Sequence, residues 1–442
     1  MAYTISAQLQ QKLDHSGIRS MTSEELRERF EHFRETIRIG AQRTTAPTST
    51  DGGLLAFPTH VPPMNGEGVR ALPLGTAAIA AACGGTNWIF QKATVTALGE
   101  VALSEGFIRP IPPEQRTHTF ASLVNLIASE VVNVAKEYGL MEVEKLPIAI
   151  SLGFPQTNIR LDNGDIDARI NKPILPKFWK ITDCNGELAP EQQPSLAAML
   201  RAELTRLGVR SVGRIVFVND TVAVALDAQH PGKDLAVGFV FGTGTNAAMD
   251  SRTEKGLLNL EAGAAKIMPI DSALQYMIDK ELVPYSSSNI EYWMGGGYLP
   301  ARVAAAVEMV RESFTDPEQV KTVLLQSFNQ ALLSEIAEGF SPRKNEFHVG
   351  PSEYTLLKEI ARRVLVEAGQ CIGLMIASVV AELGVETGEW MIPYEGSLMA
   401  KAYSVQDAAQ KVIRELLPNA TLTPYKASGM VGIAKFAMVS SR

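Results

Sequence analysis

The chain has 442 residues, 46% of them apolar and 20% charged, and a formal net charge of −7 at pH 7. Its length exceeds one ordinary core and predicts two domains of roughly 200 residues, while the acidic balance argues against a nucleic-acid partner that relies on phosphate neutralisation. Cys83, Cys184 and Cys371 are isolated and lack metal-ligand spacing, the most apolar segment (71–83) is too short for a bilayer, and no basic-then-apolar leader is read at the start, so the expectation is a cytoplasmic α/β protein.

In chain order, Leu26, Phe30, Phe33 and Ile37 recur at spacings of three and four. They predict an amphipathic helix over 22–39, capped at Ser23 and stopped at Gly40. Residues 43–53 are rich in Thr, Ser and Gly and read as a loop. Strands are predicted at 76–83 and 88–96 around the turn Gly84-Gly85-Thr86-Asn87. A helix follows over 120–138, a strand at 147–152 ending on Gly153-Phe154-Pro155, a helix over 193–207 and a strand at 214–218. The order then restarts, with strands at 235–242, 247–250 and 257–261 around a turn at 243–246. Helices are expected over 270–282, 299–314, 318–336 and 352–383, the last broken near Gly369. A strand at 390–394 and a C-terminal strand at 435–439 complete the reading, and residues 1–17 give no interpretable pattern. Glycine-rich turns after the first strand of each half mark an internal duplication, two ribonuclease-H-like lobes with a cleft suited to a nucleotide. The expected boundaries are 1–71 for an N-terminal helix and linker on the large lobe, 72–218 with 427–442 for the small lobe, and 219–426 for the large lobe.

Two stretches carry chemistry. Asn219-Asp220-Thr221 follows the apolar run 214–218, which puts a carboxylate at the C-terminal end of a strand, where open α/β sheets collect their reactive groups. Gly242-Thr243-Gly244-Thr245 breaks a second strand into a turn with exposed backbone N–H groups able to wrap a phosphate. A base beside a phosphate cradle points to phosphoryl transfer to a hydroxyl. Asp220 alone would equally serve as a helix N-cap, Glu261 and Glu291 as surface acids, Lys180 as a solvated charge, and Gly396-Ser397-Leu398 as a plain turn.

In this order the motifs resemble those of the hexokinase family, within the sugar kinase, actin and heat-shock ATPase superfamily. The resemblance runs from about Phe57 to the C-terminus through Cys83-Gly84-Gly85-Thr86-Asn87, Gly153-Phe154-Pro155, Val218-Asn219-Asp220-Thr221, Gly242-Thr243-Gly244-Thr245-Asn246, Asn259-Leu260-Glu261, Glu291 with Gly295-Gly296-Gly297, and Glu395-Gly396-Ser397-Leu398. It implies an actin-like ATPase fold that phosphorylates a hexose, glucose above all, using ATP and Mg²⁺. Asp220 would be the general base. Lys180, Asn219, Asn246, Glu261 and Glu291 would read the sugar. Gly84, Gly85, Thr86, Asn87 and Gly242, Thr243, Gly244, Thr245 would hold phosphates, and Gly396, Ser397 and Leu398 the adenosine. No protein side chain is assigned to metal, no membrane or nucleic-acid partner is implied, and a homodimer is left open.

The chain departs from the family pattern above all at the first phosphate motif. The family's Mg²⁺-supporting aspartate is Ala82 here, and its arginine after Thr-Asn is Ile89. On the sugar side, the family's serine before Phe-Pro is Gly153 and its threonine beside the lysine is Trp179. Two readings stand side by side: a working sugar kinase, and a hexokinase-like sugar sensor that turns over slowly or not at all.

Overall fold

In the computed structural model, which describes residues 7–42, 54–64, 70–84, 87–97, 99–112, 116–171, 174–175, 179–183, 192–227, 229–230, 232–284, 289–326, 330–339 and 344–439, the two halves of the chain build sheets in the same order. In the first half, Ala77–Cys83 pairs antiparallel with Asn87–Ala97, which pairs with Glu100–Leu103. On its other side it lies parallel to Leu146–Leu152, itself parallel to Val212–Asn219. In the second half, Val237–Phe241 meets Thr245–Asp250 and then Leu257–Asn259, both antiparallel. Its parallel neighbours are Gly388–Glu395 and, beyond that, Ala420–Lys426. Each sheet therefore reads third, second, first, fourth, fifth, the duplication expected from the two glycine turns.

The central strands are largely apolar because both faces are covered. All seven residues of Leu146–Leu152 are buried. One face of the first sheet packs on the helices Phe120–Glu137 and Leu196–Arg206, and the other on the helix Gly429–Val439. The larger core joins the second sheet to the helices Ser23–Gln42, Leu299–Met309, Pro351–Glu382 and Tyr403–Leu416.

Several expectations need correction. Residues 435–439 belong to the helix Gly429–Val439 and not to a strand; an apolar run this short does not separate a strand from a buried helix. The expected helix 318–336 is two helices, Pro317–Gln326 and Gln330–Glu338. Pro351–Glu382 runs unbroken for 32 residues. Its Gly369 and Gly373 serve close packing: a Cβ at either would lie 2.5 Å from the Val405 or Ala409 carbonyl of the neighbouring helix. By length and composition this helix would cross a membrane, unlike 71–83. However, 89% of its most apolar window is buried inside the protein, which makes it the core helix. The first long helix is capped by Thr22 and not Ser23. Thr22 Oγ1 accepts from Glu25 N while Glu25 Oε2 accepts from Thr22 N, and the helix continues past Gly40 to Gln42. The hairpin Gln156–Arg160 with Ile166–Ile170, the helix Tyr403–Leu416 and the strand Ala420–Lys426 were not anticipated. The loop at 43–53 lies outside the described residues.

Candidate active site

Val212–Asn219 is buried from Arg214 onward and delivers Asn219 and Asp220 to the C-terminal edge of its sheet. Asn219 is the cap of the following helix Asp220–Ala225, its Oδ1 accepting from Thr221 N at 3.0 Å. The capping role open to Asp220 is thus filled by its neighbour, although Asp220 Oδ1 also accepts from Thr221 N at 2.8 Å. Burial pushes the Asp220 carboxyl up to about 6, helped by the charge of Glu395 and opposed by hydrogen bonds from Thr221 N and Asn219. Glu395 ends the strand Gly388–Glu395, and its Oε2 accepts from Gly429 N at 3.0 Å.

Beside Asp220, amides and carboxylates from three strands form one hydrogen-bonded array. Asn246 Nδ2 donates to Asn259 Oδ1 at 2.8 Å, and Asn259 Nδ2 donates to Glu261 Oε1 at 2.8 Å. Asn246 Oδ1 accepts from Ala262 N at 3.0 Å, which fixes the amide's orientation. Thr221 Oγ1 donates to Asn219 Oδ1 at 2.6 Å and accepts from Asn246 Nδ2 at 3.4 Å, so the array reaches the residue before Asp220. Glu261 sits in the left-handed region at φ 46°, which turns its side chain out of the strand line just past Asn259. Asn259, wholly buried, links Asn246 to Glu261 and was absent from the sequence candidates; its position two residues before Glu261 on a strand was the available signal.

Glu291 opens the four-residue helix Glu291–Met294, and its Oε1 accepts from Thr245 N at 3.1 Å. The glycine turn is tied to the same segment: Gly296 N donates to Gly242 O and Gly297 N to Thr243 O. Lys180 lies on the short strand Trp179–Ile181, exposed, and its side chain joins none of these bonds.

The turn itself has the features of an anion cradle. Among the described residues, a Cβ on Gly242 would meet nothing within 4 Å, and Thr245 Oγ1 is buried without a hydrogen-bond partner. Both would be met by phosphate oxygens. Gly396 lies beside it at φ 116°, where a Cβ would fall on the Phe241 carbonyl, so only glycine fits. Leu398 is 1% exposed and packs in the larger core, whereas Gly396 and Ser397 are half-buried.

In the first half, Gly84 adjoins the Gly153-Phe154-Pro155 loop, with Gly153 N donating to Cys83 O, and Asn87 is exposed. Gly85 and Thr86 lie outside the described residues. Ala82 pairs with Ser151 and Ile89, and both Ala82 and Ile89 pack on an apolar cluster with Met430 and Ala434 of the C-terminal helix. Among the described residues no group of three His, Cys, Asp or Glu is placed to hold a metal. An ion such as Mg²⁺ takes most of its ligands from water and phosphate, so the lack of such a group does not weigh against its use here.

Residues 18–230 match one hexokinase family model and residues 236–439 a second. Hexokinase-3 of Homo sapiens is 22% identical over 387 residues, covering 80% of this chain and 40% of the relative. The chloroplastic hexokinase-4 of Oryza sativa subsp. japonica is 25% identical over 354 residues, covering 73% of this chain and 64% of the relative. The chain thus spans less than two thirds of either protein. A solved hexokinase from Schistosoma mansoni, complexed with glucose, superposes with a TM-score of 0.75 at 18% identity over 98% of both chains. The shared architecture is the two-lobed α/β fold of actin-like ATPases. With family matches on both lobes, this chain belongs to the hexokinase family.

Proposed function

We propose that this protein transfers the γ-phosphoryl group of ATP to a hexose, glucose first among them, to give the 6-phosphate. The observation that carries the reading is the continuous array Asn219, Thr221, Asn259, Asn246 and Glu261 set between Asp220 and the glycine turn. Amide and carboxylate groups so arranged match the paired donors and acceptors of a sugar. Asp220 would take the proton of the 6-hydroxyl as its oxygen attacks phosphorus in line, and the amides of 242–245 would stabilise charge on the transferring group. Bound Mg²⁺ would neutralise charge on the phosphate oxygens, with Asp220 available to hold its water shell. We place the small lobe at 72–218 with the C-terminal helix, the large lobe at 219–426, and residues 1–71 against the large lobe. Closure of the lobes on the sugar would exclude water that would otherwise hydrolyse ATP.

A second reading is favoured by one observation, the apolar surroundings of Ala82 and Ile89: sugar binding with little or no turnover. ATP-dependent phosphorylation across a hexose panel with Mg²⁺, using Asp220→Ala as the blank, separates the two. Turnover that vanishes in the variant supports the kinase. Hexose binding without turnover, with activity gained on Ala82→Asp, supports the sensor.

A further inference from the structure

Glu291 is the one sugar-reading candidate carried by a single helical turn, too short to hold its own direction. What fixes that turn lies outside the cleft. Trp293, 5% exposed, is covered by the Arg302 guanidinium, whose central carbon lies 3.7 Å from the ring centroid. Arg302 is wholly buried and held from two sides: Nη2 donates to Asp271 Oδ2 at 2.6 Å and Nε to Glu367 Oε2 at 3.1 Å. Asp271 caps the helix Ser272–Asp279 through Leu274 N. Glu367 sits within the core helix, and its Oε1 accepts from the Arg19 backbone N–H at 3.1 Å. One turn further along that helix, Gln370 bonds both the N–H and the carbonyl of Met21.

We propose that Arg302 is a positioning residue for Glu291: a buried brace runs from the segment at 19–21 through Glu367, Arg302 and Trp293 to the turn that bears this carboxylate. The brace ends on the reactive side, because Glu291 also holds Thr245 N of the phosphate cradle. A planar guanidinium is required, since it must stack on an indole and reach two carboxylates at once. A lysine supplies the charge without the fork. The sugar-reading role of Glu291 rests on the function proposed above; the brace itself does not.

The test uses the full chain with Arg302→Lys and, in case that variant does not fold, Glu367→Gln. Two quantities are read at 25 °C. One is hydrogen exchange of the Thr245 amide, with the strand Leu146–Leu152 as the remote control. The other is the dissociation constant for glucose, with kcat and KM measured separately. The expected result is Thr245 exchange about tenfold faster, glucose affinity about tenfold weaker, the kinetic loss mainly in KM, and unchanged protection at Leu146–Leu152. A lower melting temperature with Thr245 exchange and glucose affinity both unchanged overturns the proposal, as does an equal loss of protection in both segments. If the wild-type protein binds no hexose, the proposed function falls, and the exchange measurement alone decides the brace.

Discussion

The raised Asp220 carboxyl makes the pH–rate profile a direct test of its role as base. With a folded value of about 6, roughly one molecule in eleven carries the ionised form at pH 5, so kcat/KM for the hexose should fall there to about a tenth of its plateau. Had the group kept its ordinary value of 3.8, more than nine-tenths would remain ionised at pH 5, and the profile would be almost flat to that point. The factor of about ten is well within reach of an assay of ADP release from pH 5 to pH 9. Glu395→Gln removes the neighbouring charge that helps raise the value, so the acid limb should move to lower pH. Asp220→Asn should lose about 10²–10⁴ in kcat. The sign of the stability change is distinctive. Because the folded state holds this proton more tightly than the unfolded chain, ionisation destabilises the fold as pH rises through the interval from 3.8 to about 6, and at pH 8 that effect is complete. Asp220→Asn should therefore melt no lower than wild type at pH 8. An Asn variant within threefold of wild-type kcat, or a wild-type profile flat down to pH 5, would sink the assignment.

Two other sites give independent checks. Asn259→Ala removes the wholly buried amide that joins Asn246 to Glu261; at about 1–3 kcal/mol for the groups left unpaired, hexose KM should rise roughly ten- to a hundredfold, whereas an unchanged KM would separate the array from sugar binding. Lys435→Met strands the Asp227 carboxylate, fully buried and 2.9 Å from the Lys435 ammonium between the C-terminal helix and Asp220–Ala225; urea unfolding should show a loss of about 3–5 kcal/mol, and a loss under 1 would mean that the pair contributes little.

Much of the site was legible because its motifs are local. A strand that breaks into Gly-Thr-Gly-Thr, or ends on Asn-Asp-Thr, declares its backbone geometry within a few residues, and Asp220 could be named on that basis, whereas Asn246 and Glu291 were named through the family resemblance. The hairpin around Asn163-Gly164 carries a local signature of the same kind, a turn pair between two strand-forming runs. Other features had no local signature. Lys435 to Val439 is an apolar run whose period is undecidable at that length, and only the faces it covers make it a helix. Gly369 looks like a helix breaker until the neighbouring helix is seen to need the space.

The sequence by itself determined the family and the duplicated strand order, and it singled out Asp220 as the carboxylate proposed as base, since each rests on short-range motifs. Only the tertiary structure decided that Asn259 organises the polar array, that Ala82 faces an apolar helix, and that Arg302 braces Glu291 from Asp271 and Glu367. Asn246 and Asn259 are 13 positions apart and Arg302 and Glu367 65 apart, and nothing in the local pattern of a chain records which distant surfaces its burial will bring together.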